Sequence, residues 1–249
     1  MATTGTAIGQ LAGRDHSELR EVAVRTVGEQ AAIAMSCGRL PKRRPGVDPN
    51  EDAALVAVGS QGVFAAVMDG HLGGDAAEET LAAAGEWARS LVEEPADHPR
   101  RMLNSVLKSA QKRIGERLAA VSEDRRNSRT AVTLALAVDR KVYVATLGDT
   151  VALLARRGRG RWVQFRETGD FMGAQPAMAP LQAAKRSGAD RLILASDGLI
   201  DFTPSGFVVD TLGRPEIATA QPEAVVRALM DGALMGGAGD NVTVVCVDL

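Results

Sequence analysis

Val63-Phe64-Ala65-Ala66-Val67-Met68-Asp69-Gly70-His71-Leu72-Gly73-Gly74 decides the fold. Six apolar residues run straight into an acid, a glycine and a histidine. A run this short, ending at glycine, suits a buried strand. Just upstream, Ala53 to Val58 reads as another strand, and Ser60-Gln61-Gly62 supplies the turn of a hairpin. Just downstream, Asp75 reads as a helix N-cap, with Glu78 three residues on, and the helix continues to about Glu93.

Beyond the helix, Pro95 and Pro99 bracket a break. Met102, Val106, Ile114, Leu118 and Val121 then have helical spacing, to about Ser122. The period changes after that. Thr130 to Val138, Val142 to Leu147, Val151 to Ala155 and Trp162 to Phe165 read as strands of an antiparallel meander. Residues 168–188 show no period. Arg191 to Ala195 is a buried-type strand ending at Ser196-Asp197-Gly198, Pro222 to Leu234 a helix with proline in its first turn, and Val242 to Val247 a closing strand. Towards the N-terminus, residues 21–39 accommodate a helix or a strand, and Ala31 to Met35 before Gly38 favours a strand. Pro41 to Gly46 is a strongly basic loop. Residues 1–14 read as a loose tail, which leaves 15–249 as one domain. The order of elements predicts an α+β domain with helices packed on antiparallel sheets.

Composition narrows the chemistry. The 249 residues are 45% apolar and 24% charged, ordinary for a globular chain with one large core. With 29 basic and 31 acidic residues, no broad positive field invites nucleic acid or an anionic membrane. Two cysteines and three histidines exclude a disulfide framework and a multi-cysteine zinc site. Any metal site must therefore rest mostly on carboxylates. No leader pattern and no stretch of roughly 18 apolar residues is present, so a cytoplasmic protein is expected, and a monomer.

The acids fall in a pattern. Asp69 and Asp197 end apolar strands and precede glycine; Asp149 ends another and follows glycine; Asp240 follows glycine just before the last strand; Glu51 and Asp52 precede the first hairpin strand. Taken singly, each Asp-Gly pair is explained by a turn. Five such stations can converge at the rim of a sheet, where rigid strand ends hold them. Converging carboxylates repel one another unless a cation neutralises them, and hard oxygen ligands suit Mg2+ or Mn2+.

On these residues the chain resembles the metal-dependent serine/threonine protein phosphatases of type 2C, the PPM family. Asn50-Glu51-Asp52-Ala53, Val67-Met68-Asp69-Gly70-His71 with Gly73, Leu147-Gly148-Asp149-Thr150, Leu194-Ala195-Ser196-Asp197-Gly198-Leu199 and Gly239-Asp240-Asn241-Val242-Thr243 match in the family's order, across residues 30–249. The resemblance implies a four-layer αββα sandwich of two antiparallel β-sheets flanked by helices, with two Mn2+ or Mg2+ ions at the sheet edge. It implies that Asp69 bridges both metals. Asp197 and Asp240 would complete one shell, Glu51 and the Gly70 carbonyl the other, and Asp52 would hold a metal-bound water. Asp149 with Asp197 would take a third, weaker metal, His71 would be the general acid, and Asn241 would give structural support. The reaction implied is hydrolysis of phosphoserine or phosphothreonine on proteins, opposing a Ser/Thr kinase. Two metals activate a bridging water and clamp the phosphoryl oxygens, and the poor alkoxide leaving group needs a proton donor.

The chain departs from the family pattern in three places. The arginine that usually precedes Asn-Glu-Asp to bind phosphate is replaced by Val47; Arg44, in the basic loop, is the candidate substitute, with a merely solvated loop as the other reading. Leu72 stands where the family has glycine. Asp149 and Asp197 are only 48 positions apart, which implies a compact, bacterial-like form with a reduced flap; Phe171, Met172 and Gly173 are candidates to line what remains of it, with a core or surface role as the favoured reading. Two other functions compete. Cys37 and Arg43 have the spacing of a cysteine-nucleophile phosphate loop, but Pro41 removes an amide and no helix follows. A pseudophosphatase-like regulatory binding module would be expected to lose metal ligands, and none is lost here.

Overall fold

The computed structural model describes residues 5–42, 47–94, 98–156, 161–166, 169–173, 175 and 179–249. Its strands are β1 (Ala7–Ala12), β2 (Ala23–Val27), β3 (Ala31–Ser36), β4 (Ala53–Val58), β5 (Gly62–His71), β6 (Arg129–Val138), β7 (Lys141–Leu147), β8 (Val151–Arg156), β9 (Arg161–Arg166), β10 (Leu181–Lys185), β11 (Asp190–Ala195) and β12 (Val242–Asp248). The helices are α1 (Asp75–Glu93), α2 (Pro99–Ala120), α3 (Asp197–Asp201), α4 (Phe207–Gly213), α5 (Pro215–Ala218) and α6 (Pro222–Met235). One six-stranded sheet has the order β1-β4-β5-β6-β7-β10, the other β2-β3-β12-β11-β8-β9, and all pairings are antiparallel.

Strand periodicity divides the core. In β5, Phe64, Ala66 and Met68 pack against α1 and α2, while Val63, Ala65 and Val67 face the second sheet. In β11, Leu192 and Leu194 point between the sheets, and Ile193 and Ala195 meet α3 and α6. Three apolar layers result: helices on sheet, sheet on sheet, and sheet on helices. This is the expected αββα sandwich. Because side chains alternate along a strand, Asp69 and His71 continue the row of Val63, Ala65 and Val67. The inter-sheet face of β5 therefore turns from apolar to ionisable at its end.

Four expectations are corrected. Residues 7–12 are not a loose tail: β1 pairs with β4 from Ala7↔Val58 to Ala12↔Ala53, and the Gly13 amide donates to the Asp52 carbonyl at 2.8 Å. Gly9 lets this happen, since a Cβ there would stand 2.5 Å from Val27 Cγ2. The domain therefore begins before residue 15. The four strands after α2 are not one meander: β6 and β7 belong to the first sheet and β8 and β9 to the second, because Gly148, at φ 77°, turns the chain across the rim. Residues 181–185 form β10, an edge strand whose half-exposed small and polar residues carry little period. Asp75 is the first helical residue of α1 rather than its cap, and it is buried against Arg117 and Arg125 at 2.8 and 2.6 Å. An acid there suits the positive end of the helix.

Candidate metal centre

The acids gather at one rim of the sandwich. Glu51 and Asp52 enter from the start of β4, Asp69 and His71 from the end of β5, Asp149 from the β7–β8 turn, Asp197 from the first turn of α3, and Asp240 from the approach to β12. Asp69, His71 and Asp149 each offer a ligand atom within 4.8 Å of the others. His71 Nε2 lies 3.6 Å from Asp69 Oδ1 and 3.9 Å from Asp149 Oδ1. Two glycines make the convergence possible. A Cβ at Gly70 would stand 2.3 Å from the Glu51 carbonyl oxygen, and one at Gly198 would stand 1.9 Å from that of Asn241. Neither glycine sits in a turn: Gly70 is within β5 and Gly198 within α3.

Neighbouring groups hold these acids in place. The Thr243 hydroxyl, reaching across from the second sheet, donates to Asp52 Oδ2 at 2.7 Å. Asn241 accepts from the Glu51 amide at 2.9 Å, and its side-chain amide donates to the carbonyls of Cys37 and Pro49 at 3.2 and 2.9 Å. Glu51 Oε1 accepts from the Gly73 amide. Arg125 clasps Asp48 and Asp75 together, and Asp48 accepts from the Gly74 amide at 2.8 Å. The turn after His71 is thereby tied on both sides. Leu72 takes φ 61° within it, a left-handed conformation that costs a non-glycine residue roughly 1–2 kcal/mol.

The electrostatics are those of a site short of positive charge. Burial, then the charges of Asp52 and Asp197, raise the Asp69 carboxyl well above the usual range. Burial pushes Asp52 up to about 7, although Lys42 and the Thr243 hydroxyl pull it down. Asp197 is raised as well, mainly by burial. Asp52 Oδ1 and Asp69 Oδ2 are buried without a hydrogen-bond partner. Buried acceptors left in this state cost free energy, so they point to a missing cation. The carboxylate-rich donor set suits a hard divalent ion.

These shifts predict a pH dependence in the metal-free chain. Unfolded Asp titrates near 3.9. The native state therefore binds more protons than the unfolded state from about pH 4 to about 7. The stability these groups contribute is fully present below that window and is lost as pH rises through it. In EDTA, the unfolding free energy from urea titration should fall from pH 5 to pH 8 by on the order of 1–3 kcal/mol, and the midpoint with it. Saturating Mn2+ should abolish the fall, because bound metal favours the deprotonated ligands. A midpoint that rises across this range in EDTA contradicts the assignment.

Sequence reasoning missed several neighbours of the site. The Lys42 ammonium sits 2.8 Å from Glu51 Oε2 and 3.0 Å from Asp240 Oδ1. Burial opposes its charge, yet Glu51 and Asp240 outweigh burial and raise its pKa. Phe171 is not a core or outer-surface residue: its ring meets His71 edge to face at 4.8 Å, with the Arg129 guanidinium 4.9 Å from its centroid. Met172 is core, buried and bridged to Thr130, and the Gly173 carbonyl accepts from Gln111 at 2.7 Å. Lys42, Val47, Glu51, His71, Arg129 and Asp240 line a cavity of about 310 Å3. Arg44 lies outside the described residues. Cys37 is buried with its thiol on the Pro49 carbonyl, and burial pushes it up, away from thiolate chemistry.

Comparison with known proteins agrees with this geometry. The family model for protein phosphatase 2C matches residues 42–231. The chain belongs to the protein phosphatase 2C family. A curated relative, probable protein phosphatase 2C 52 of Oryza sativa subsp. japonica, is 27% identical across 73% of the chain, and the match spans 43% of that protein's length. Among solved structures, the Mycobacterium tuberculosis serine/threonine phosphatase PstP/Ppp superposes with a TM-score of 0.71 at 20% identity, covering 92% of this chain and 99% of that one. A PstP catalytic domain in complex with 2 manganese ions gives 0.71 at 21% identity with the same coverage. The phosphatase MsPP of Mycobacterium smegmatis, in complex with cacodylate, gives 0.64 at 22% identity, covering 88% and 97%. No helix among the described residues is long and apolar enough to cross a membrane.

Proposed function

We propose that this chain is a Mn2+- or Mg2+-dependent phosphatase that hydrolyses phosphoserine and phosphothreonine on proteins phosphorylated by a Ser/Thr kinase. One observation carries the reading: acids from five separate stations reach one rim, where Asp69 and Asp149 lie against His71, and the buried Asp52 Oδ1 and Asp69 Oδ2 have no partner. Asp69, Asp197, Asp240, Glu51 and the Gly70 carbonyl would hold two metals, Asp52 would orient water, and Asp149 would contribute to a third position. Bound there, the metals supply Lewis acidity to water and to the phosphoryl oxygens. The chain does the rest. Thr243 fixes the Asp52 carboxylate, and Asn241 fixes the backbone of Glu51. His71, whose ring meets Phe171 edge to face, would deliver a proton to the departing serine or threonine oxygen. Arg129 gives the cavity wall a positive charge suited to a phosphate.

The test is release of phosphate from a phosphoserine peptide and from p-nitrophenyl phosphate. Both should require Mn2+ or Mg2+ and stop in EDTA. Absence of release from both substrates in saturating Mn2+ would overturn the reading and leave a regulatory binding module.

A further inference from the structure

Glu51 and Asp240 approach the rim from different sheets, one before β4 and the other before β12. Lys42 Nζ joins them, at 2.8 and 3.0 Å. Only 18% of the lysine side chain is exposed, and 2% of the Glu51 side chain. An exposed lysine pair is worth little, but this ammonium is largely withdrawn from water between two acids. Both Glu51 oxygens already hold a donor: Oε1 accepts from the Gly73 amide and Oε2 from Lys42. Divalent ions that took Glu51 Oε2 and Asp240 Oδ1, one in each metal position, would each meet the ammonium within contact distance of the same atom. Like charges that close are strongly unfavourable away from bulk water.

We infer that Lys42 is a resident counter-ion of the acidic centre, competing with the divalent metal for Glu51 and Asp240 and leaving them when the metal loads. The inference rests on the metal reading given above. It makes the protein its own source of positive charge in the metal-free state, and it weakens metal binding by the free energy of displacing that charge. The flexible four-carbon stem of lysine allows such an exchange.

The full chain, stripped with EDTA and dialysed, is titrated calorimetrically with MnCl2 as wild type, Lys42→Met and Lys42→Arg, and each is melted in EDTA. Lys42→Met should bind Mn2+ about 10-fold more tightly. It should also melt at a lower temperature in EDTA, because Glu51 is left buried and unpaired. Lys42→Arg retains the charge and should keep the weaker, wild-type-like affinity, which also separates the effect from misfolding. Equal or weaker Mn2+ binding by Lys42→Met, or a higher melting temperature in EDTA, overturns the counter-ion role while leaving the metal site intact. Wild-type and Lys42→Met chains that both ignore Mn2+ overturn the metal reading and this inference with it.

Discussion

Asp69→Asn should abolish turnover and leave the metal-free chain at least as stable as wild type. Asp69 is the acid on which the centre converges: Asp52, Asp197 and Asp149 all act on it, and burial with their charge keeps its proton on. Asparagine has the same shape and no charge, so in EDTA it imitates the protonated carboxyl without a proton to lose. Above neutral pH, where deprotonation would set four carboxylates against one another, the variant gains relative to wild type. Metal binding is another matter. If Asp69 holds metal as proposed, removing its charge should lower kcat/KM by about 10^3-fold or more, since each tenfold is 1.36 kcal/mol of barrier. Asp197→Asn should act in the same direction. The measurement is phosphopeptide hydrolysis at saturating Mn2+, beside a urea titration in EDTA at pH 8. Rates near wild type for both variants would refute the assignment. Lost activity together with lost stability would show that Asp69 serves folding instead.

That pair of outcomes bears on why the sequence was readable where it was. The sandwich was legible because β4, β5, β11 and β12 are built on unbroken apolar runs, Ala53 to Val58, Val63 to Met68, Leu192 to Ala195 and Val244 to Val247, as a strand buried on both faces requires. β1 and β10 were not, because they lie at the two edges of the first sheet. An edge strand is held by one neighbour's hydrogen bonds more than by burial, so its composition can be that of a tail. The split of β6–β9 between two sheets was hidden for a related reason. A hairpin and a crossing at the rim both present a glycine between two apolar runs, and only the packed partner tells them apart.

At the site, the spacing of acids and glycines showed which residues meet. The ordinary explanation of Asp-Gly as a turn holds at neither Gly70 nor Gly198, where the glycine clears space for an opposing carbonyl. Two glycines chosen for close approach, each beside an acid, were therefore the strongest signal in the chain. Lys42, Thr243 and Phe171 gave no such signal. Their roles depend on neighbours far away in sequence: Thr243 bonds Asp52 across 191 positions. Phe171 reaches His71 through a segment without period. A basic loop discloses that it is basic, not that one of its lysines is drawn inward between two acids.

His71→Ala should separate the two substrates used to measure activity. A serine alkoxide leaves as a strong base and needs its proton during bond cleavage, while p-nitrophenolate leaves without one. A positioned general acid contributes roughly 10^2–10^4-fold. The variant should lose that much on the phosphoserine peptide and less than about 10-fold on p-nitrophenyl phosphate. A second role for His71 is open to the geometry, because Nε2 lies among ligand atoms of Asp69 and Asp149. A ligand and an acid fail differently. Loss of a ligand would slow both substrates alike and would be relieved by raising Mn2+. Loss of the acid would spare the activated ester, and extra metal would restore nothing. Phe171→Ala refines the distinction, since Phe171 touches the His71 ring edge to face. Freeing the ring should lower kcat on the phosphopeptide with little change on p-nitrophenyl phosphate, the His71→Ala pattern in milder form. Equal losses of His71→Ala on both substrates, reversed by Mn2+, would place His71 in the metal shell and leave the proton to another donor.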